Sequence, residues 1–159
     1  HAALAARRYA IDNAHRIKGL GPNSWGMSAC ISPTTGYSGQ YGSHPIGHGH
    51  PLLEDGTVAP YGALSFLPFT PKESIDALEY MYRIPGLVGK YGLYDAYSYQ
   101  TKAKGDQPWI AESYLGIDKG LVLLMFENYS TQLIWKLLHQ NNHIRKGFEV
   151  LLFERKPDR

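Results

Sequence analysis

Apolar positions along the chain fall into two repeated pairs. Residues Thr57 to Leu67 and Ile117 to Asn128 are apolar on nearly every side, and each is followed by a segment apolar on one face only, Thr70 to Tyr82 and Ser130 to His139. An all-round apolar helix needs cover on all sides, whereas a one-sided helix belongs at the surface. The pattern predicts inner helices with half-exposed outer partners, a two-layer helical arrangement. A modest apolar face (Leu4, Ile11, Ala14, Ile17) predicts a further helix from His1 to about Ile17, stopped by Gly19. Ile144, Phe148, Leu151 and Leu152 predict a last one over His143 to Phe153. Thr70-Pro71-Lys72-Glu73 reads as a helix start, with Thr70 capping, Pro71 at the first position and Glu73 closing a capping box. On the helix that follows, Ile75, Leu78, Met81 and Tyr82 form the inward face.

Between these helices lie long aromatic loops. Gly21 to Gly56 is rich in Gly, Pro, Ser and Thr, and Gly89 to Glu112 is irregular, with Tyr91, Tyr94, Tyr97 and Tyr99 alternating as in a helix-free loop, strand or hairpin. Ten of the twelve tyrosines fall between Tyr37 and Tyr114. Such rings suit surfaces that are apolar on one side and wet on the other, though they also fill cores. The length of 159 residues is enough for one domain. A formal net charge of +2 gives no electrostatic case for nucleic acid or an anionic membrane, and no window is apolar enough to cross a bilayer. The single Cys30 excludes an internal disulfide. His44, His48 and His50 invite a metal, but no Cys or paired carboxylates accompany them, so neither metal nor cofactor is expected.

The chain begins at His1 without a signal-peptide pattern, which reads as a processed chain or a piece of something longer. Two carboxylates flank the apolar run at 121–126: Asp118 before it and Glu127 after it. Both are costly to bury unless paired or useful. At ~100° per residue, nine residues put them on roughly opposite sides of the helix, so they are no catalytic pair. Glu127 is expected to pair with a buried Lys, Arg or Tyr.

Five ordered motifs carry a resemblance. They are Asn23-Ser24-Trp25-Gly26-Met27-Ser28-Ala29, Asp55-Gly56-Thr57-Val58-Ala59-Pro60, Leu67-Pro68-Phe69-Thr70-Pro71, Lys90-Tyr91-Gly92-Leu93-Tyr94-Asp95-Ala96-Tyr97, and Tyr114-Leu115-Gly116-Ile117-Asp118-Lys119-Gly120 continuing through Glu127-Asn128-Tyr129. Together they resemble the glycoamylase-like domain of bacterial endo-β-1,2-glucanases and cyclic β-1,2-glucan synthases. That resemblance implies an all-α fold, an (α/α)6 toroid of about twelve helices, of which about six are present here as a partial toroid with long aromatic loops. Residues 1–159 then form a single domain corresponding to the C-terminal half, and a complementary N-terminal half, or self-association, is the expected cover for inner helices around Leu64 and Leu124. The resemblance further implies a periplasmic or secreted glycoside hydrolase acting on β-glucan, β-1,2-linked, with an oligo- or polysaccharide as partner. The alternative is a non-catalytic carbohydrate-binding remnant. Two departures stand out: the acid expected near position 31 is absent, and Lys119-Gly120-Leu121 replaces Gln-Gly-Pro.

Glycoside hydrolysis uses two carboxyl groups about the scissile bond, and inverting enzymes leave room for a water between them. Asp118 is the candidate catalytic carboxylate here, against a simple cap. At a helix N-terminus the dipole favours its ionised form, which suits a base. Asp95 is a candidate sugar-hydroxyl ligand or a turn residue, and Glu54 and Asp55 reach the cleft or cap the next helix. Trp25, Tyr61, Tyr94 and Trp109 are the rings expected to stack on glucose, with plain packing the competing role.

Overall fold

The structure is a computed structural model that describes residues 2–43 and 53–151. In chain order the elements are α1 (Ala2–Asp12), β1 (Cys30–Ser32), β2 (Gly36–Ser38), β3 (Thr57–Val58), α2 (Tyr61–Leu64), α3 (Pro71–Tyr82), β4 (Val88–Gly89), β5 (Gly92–Leu93), β6 (Ala96–Ser98), β7 (Trp109–Ala111), α4 (Gly116–Ser130), α5 (Leu133–Gln140) and α6 (Asn142–Val150). The fold is helix-rich but not all-α: seven short strands, most of them in the aromatic loops, stand among the described residues. β1 and β2 form one hairpin, β4 and β5 another, and β3-β6-β7 an antiparallel sheet in which Val58 faces Tyr97 and Tyr97 faces Ile110.

The expected helix from Thr57 is mostly not a helix. The β-branched pair Thr57-Val58 joins β6 as a strand, and the Ala59 N–H goes to the carbonyl of Gly26 (3.2 Å). Pro60 has no N–H to give, so the helix starts at Tyr61 and lasts one turn. α1 ends at Asp12, earlier than expected. Asn13 turns the chain by bonding back to the Tyr9 carbonyl (2.8 Å), and the buried face is the small stripe Ala3, Ala6, Ala10, with Leu4 outside.

α3 starts at Pro71 as predicted, yet no capping box forms. Thr70 Oγ1 bonds the Phe66 carbonyl (3.3 Å) instead of a helix N–H. Of its predicted inward face, Met81 is buried and Leu78 packs against the core, whereas Ile75 and Tyr82 are exposed and Ser74 and Ala77 are buried in their place. The buried Ser74 Oγ donates to the Ala63 carbonyl (3.0 Å), locking α3 onto α2. A larger residue at 74 would separate the two helices, so the polar but small side chain wins the buried position.

The core gathers Ile17, Trp25, Val58, Leu64, Met81, Leu87 and Tyr97. Tyr97, fully buried, shares a hydrogen bond with Ser24 Oγ (2.7 Å), tying the sheet to the 21–24 turn. Tyr97→Phe is expected to cost about 1–3 kcal/mol, because the Ser24 hydroxyl is left buried without that partner. Urea unfolding of the variant checks this; an unchanged midpoint refutes it.

α2 packs on α3, α4 on α5, and α2 also on α4, so the two inner helices are neighbours with their outer partners beside them. α4 is nonetheless not buried all round. Asp118 and Asn128 are buried and Val122 and Phe126 join the core, but Ile117 (77%), Leu123 (70%) and Leu124 (42%) are exposed. Leu64, expected to be uncovered, is buried at 5%. Its cover comes from within the chain, whereas no element among the described residues covers the far side of α4. Asn128 marks the α4–α5 joint: its Oδ1 accepts the Trp135 N–H (3.1 Å), satisfying a first-turn donor of α5. α6 is capped by Asn141, which accepts from His143 and Ile144. Residues 152–153 of the expected last helix lie outside the described residues, as does the tail after them.

Candidate active site

Two glycines set the floor of the site. Gly26 has φ +108°, and a Cβ on Gly62 would stand 2.5 Å from the Gly26 carbonyl oxygen. Only bare backbone lets the 25–29 segment lie on α2 this closely. That approach brings Ser28 and Ala29 over Tyr61, the first residue of α2. The Tyr61 hydroxyl donates to the Ala29 carbonyl (3.1 Å) and accepts from Ser28 Oγ (2.7 Å). Beside them a cavity of about 380 Å³ opens, lined by residues 26–29, Gly39, Tyr41, Tyr61, Phe66 and Leu121. Leu121 lies one turn beyond Asp118 on α4.

Asp118 sits in the first turn of α4 and is 6% exposed. Asp95, 3% exposed, stands in the link between β5 and β6. Its Oδ2 accepts the Ile31 N–H (2.8 Å) from β1. Burial first, then a hydrogen bond to Asp95 and its charge, push the Asp118 carboxyl up to about 7, against the opposing effect of Lys119. The helix dipole was expected to keep Asp118 ionised; withdrawal from water outweighs it, since a dipole at a helix end supplies only about 0.3–1 kcal/mol. Lys119 is itself lowered by burial, and its ammonium donates to the Leu93 carbonyl and lies 5.6 Å from the Tyr114 ring centre. Burial, reinforced by Asp95, Asp55 and Asp118, pushes the Cys30 thiol far up, so it is no nucleophile.

The structure treats the other candidates differently. Trp25 is 1% exposed and stacked on Phe66 (6.5 Å between centres), so it packs the core and offers no face to a sugar. Tyr61 is partly buried and lines the cavity. Tyr94 is half-buried against Tyr114 (5.1 Å), and Trp109, in β7, packs against the small cluster around Cys30 and Ala96. Glu54 is held by the Tyr9 hydroxyl and by Arg16 (3.1 Å). Asp55 accepts from the Tyr41 hydroxyl (2.8 Å) and the Thr57 N–H (3.0 Å), shaping a turn before β3 where a helix cap was expected. Glu127 bonds Thr131 of its own helix end, not a buried cation or Tyr. His44, His48 and His50 lie outside the described residues. Sequence reasoning passed over Ser28, Tyr41 and the Ile31 N–H. Position 31 carries no acid here and contributes its backbone to Asp95, a role no side chain announces.

Comparison with known proteins gives a consistent result. The model of the Glycoamylase family (“Putative glucoamylase”) matches residues 1–142. The exo β-1,2-glucooligosaccharide sophorohydrolase of Parabacteroides distasonis is 32% identical over 148 residues, 91% of this chain and 18% of that protein. The endo-β-1,2-glucanase of Chitinophaga pinensis, solved with sophorotriose and glucose, superposes with a TM-score of 0.75 at 33% identity over 92% of this chain and 32% of that one. A β-1,2-glucanase structure from P. distasonis gives 0.74 at 33% identity, over 92% of this chain and 19% of that one. The chain therefore spans a third or less of the length of each of these relatives.

Proposed function

The chain belongs to the glycoamylase family, and from that membership we propose that it forms one wall of the cleft of a glycoside hydrolase acting on β-1,2-linked glucan, with Asp118 as its proton-carrying acid. The observation that carries this is a carboxyl group raised to about 7 that is felt at Tyr61 and stands one turn along α4 from Leu121, both of which line the cavity. Cleaving a glycosidic bond requires a proton on the leaving oxygen, and an acid poised near the working pH supplies it best. Tyr61, partly buried at the cavity wall, offers ring surface to a glucose unit there, while Tyr41 shapes the wall with its hydroxyl held by Asp55. The relatives named for hydrolysis of β-1,2-glucans or glucooligosaccharides support the linkage.

Asp95 raises the Asp118 carboxyl from close by, whereas the two carboxyls of a glycosidase stand roughly 5–9.5 Å apart across the scissile bond. They are one catalytic station, not two. Glu54 and Asp55 are engaged by protein groups and do not supply the second. This favours a chain that binds sugar by itself and needs a carboxylate from another part of the enzyme to cleave it. The test is to titrate the chain with sophorotriose and with cellotriose, then incubate it with linear β-1,2-glucan alone and joined to the acid-bearing helices of a β-1,2-glucanase. Saturable binding of sophorotriose is expected, with oligosaccharide released only in the joined form. Equal binding of cellotriose would defeat the linkage, and no binding of either would defeat the sugar-site reading.

A further inference from the structure

We infer that α4, α5 and α6 form an interface on which two copies of this chain pair about a two-fold axis. Among the described residues eighteen large apolar side chains are exposed, and eleven of them fall within 117–151, about a quarter of the described chain. Single exposed leucines are ordinary on any surface; a concentration of them marks an interaction site. α5 and α6 bury no residue at all, although Leu133 and Leu137 share one side of α5, four positions apart. On α4, Ile117, Leu121 and Leu124 recur at i, i+4 and i+7, a single stripe of the helix, and all three are exposed. α5 packs on both α4 and α6, so the three helices make one continuous layer.

Area and charge identify the occupant. The eleven residues are 36% to 77% exposed, together the equivalent of about six fully exposed residues. At roughly 150 Å² each they present on the order of 900 Å², against the ~800 Å² that each partner contributes to a standard stable interface. A closed pair of this chain therefore has the area it needs. A two-fold pair sets one patch against itself, so its rim must offer both signs of charge. Here Lys136, Arg145 and Lys146 stand with Glu127 and Glu149, three cations to two acids, a formal net of +1. None of the five is in an ion pair among the described residues, so each is open to an opposite charge on the second copy. A rim of one sign would instead have pointed to an oppositely charged partner or an anionic lipid surface. Leu121 belongs both to this face and to the cavity wall, so the second copy stands at the rim of the cavity.

The pairing is independent of the glucanase reading and is tested without substrate. Sedimentation across a dilution series should give twice the mass of one chain at high concentration, shifting reversibly to the monomer on dilution. Leu124→Glu and Leu137→Glu should each weaken the pairing by about 10²-fold, because each enters a two-fold interface twice. Tyr82→Glu, at a ring of α3 that is 54% exposed, should leave it unchanged. Circular dichroism checks that the variants keep their helix content. Should the α4 and α5 variants not fold, hydrogen exchange of the wild type decides: the amides of α4–α6 should slow as concentration rises, and unchanged exchange overturns the inference. A chain that is monomeric at every concentration, one that assembles without limit, or a pair that both leucine substitutions leave intact also overturns it. So does a monomer that only anionic vesicles or an added acidic amphipathic helix captures, since the face then belongs to that occupant.

Discussion

Gly26→Ala is expected to destabilise the fold by about 2–6 kcal/mol, from two costs of about 1–3 kcal/mol each. The first is conformational: φ +108° is foreign to any L side chain. The second is steric. An added Cβ would stand 2.7 Å from the Ala63 nitrogen and 3.0 Å from the Ala59 carbonyl oxygen, and these are backbone atoms that cannot swing aside. Relief would require lifting the 25–29 segment off α2, which breaks the Ala59 to Gly26 bond and carries Ser28 away from Tyr61. Gly62→Ala meets the same contact from the other side, at 2.5 Å from the Gly26 oxygen. Gly120→Ala in α4 meets nothing within 4 Å and should instead stabilise by about 0.5–1 kcal/mol. Urea midpoints of the three variants make the comparison. A Gly26→Ala chain as stable as wild type would mean that the two backbones are not in contact, and the cavity wall would have to be redrawn.

That contact also shows what a sequence can and cannot disclose. The existence of the amphipathic helices was legible from their local period, but not always the face they bury: Ser74 and Ala77 are buried on α3, and no residue of α5 is buried, with Leu133, Leu137 and Leu138 exposed. Pro71 marked the start of α3, and α2 and α4 pack on their outer partners as the order of hydrophobic segments predicts. Thr57-Val58 was not legible, because a short apolar run fits a strand or a helix equally well until its hydrogen-bond partner, β6, is known. The exposure of Leu123 and Leu124 was hidden for a related reason: periodicity tells that a face wants cover, not where the cover comes from. Trp25 had the composition of a sugar platform and the position of a core residue; Phe66, which claims its face, lies 41 positions away. Asp118 was identifiable as a residue but not by its proton. Its dipole environment is local and visible, whereas its burial and the influence of Asp95 arise only when α4 meets the β5–β6 link. Long-range desolvation reversed a sign that local reasoning had assigned.

Asp118→Asn should therefore have two effects that separate chemistry from architecture. In the joined form that releases oligosaccharide, the variant is expected to lose about 10²–10⁴-fold in hydrolysis, because the amide has no proton to donate to the leaving oxygen. Sophorotriose binding should persist, since Tyr61 and the cavity wall are untouched. The second effect appears in stability against pH. The folded carboxyl titrates at about 7 and the unfolded one near 3.8. Between those values the native state holds a proton that the unfolded chain has released, so the Asp118 contribution is fully present below about pH 4, declines as pH rises through 7, and is flat above. The Asn side chain keeps a donor toward Asp95 at every pH, so this decline vanishes in the variant. Urea midpoints of the wild type, taken relative to the variant at the same pH, should fall from pH 4 to pH 7. A relative midpoint that rises over that interval would mean that Asp118 is ionised in the fold, and with it the acid role would pass to another carboxyl.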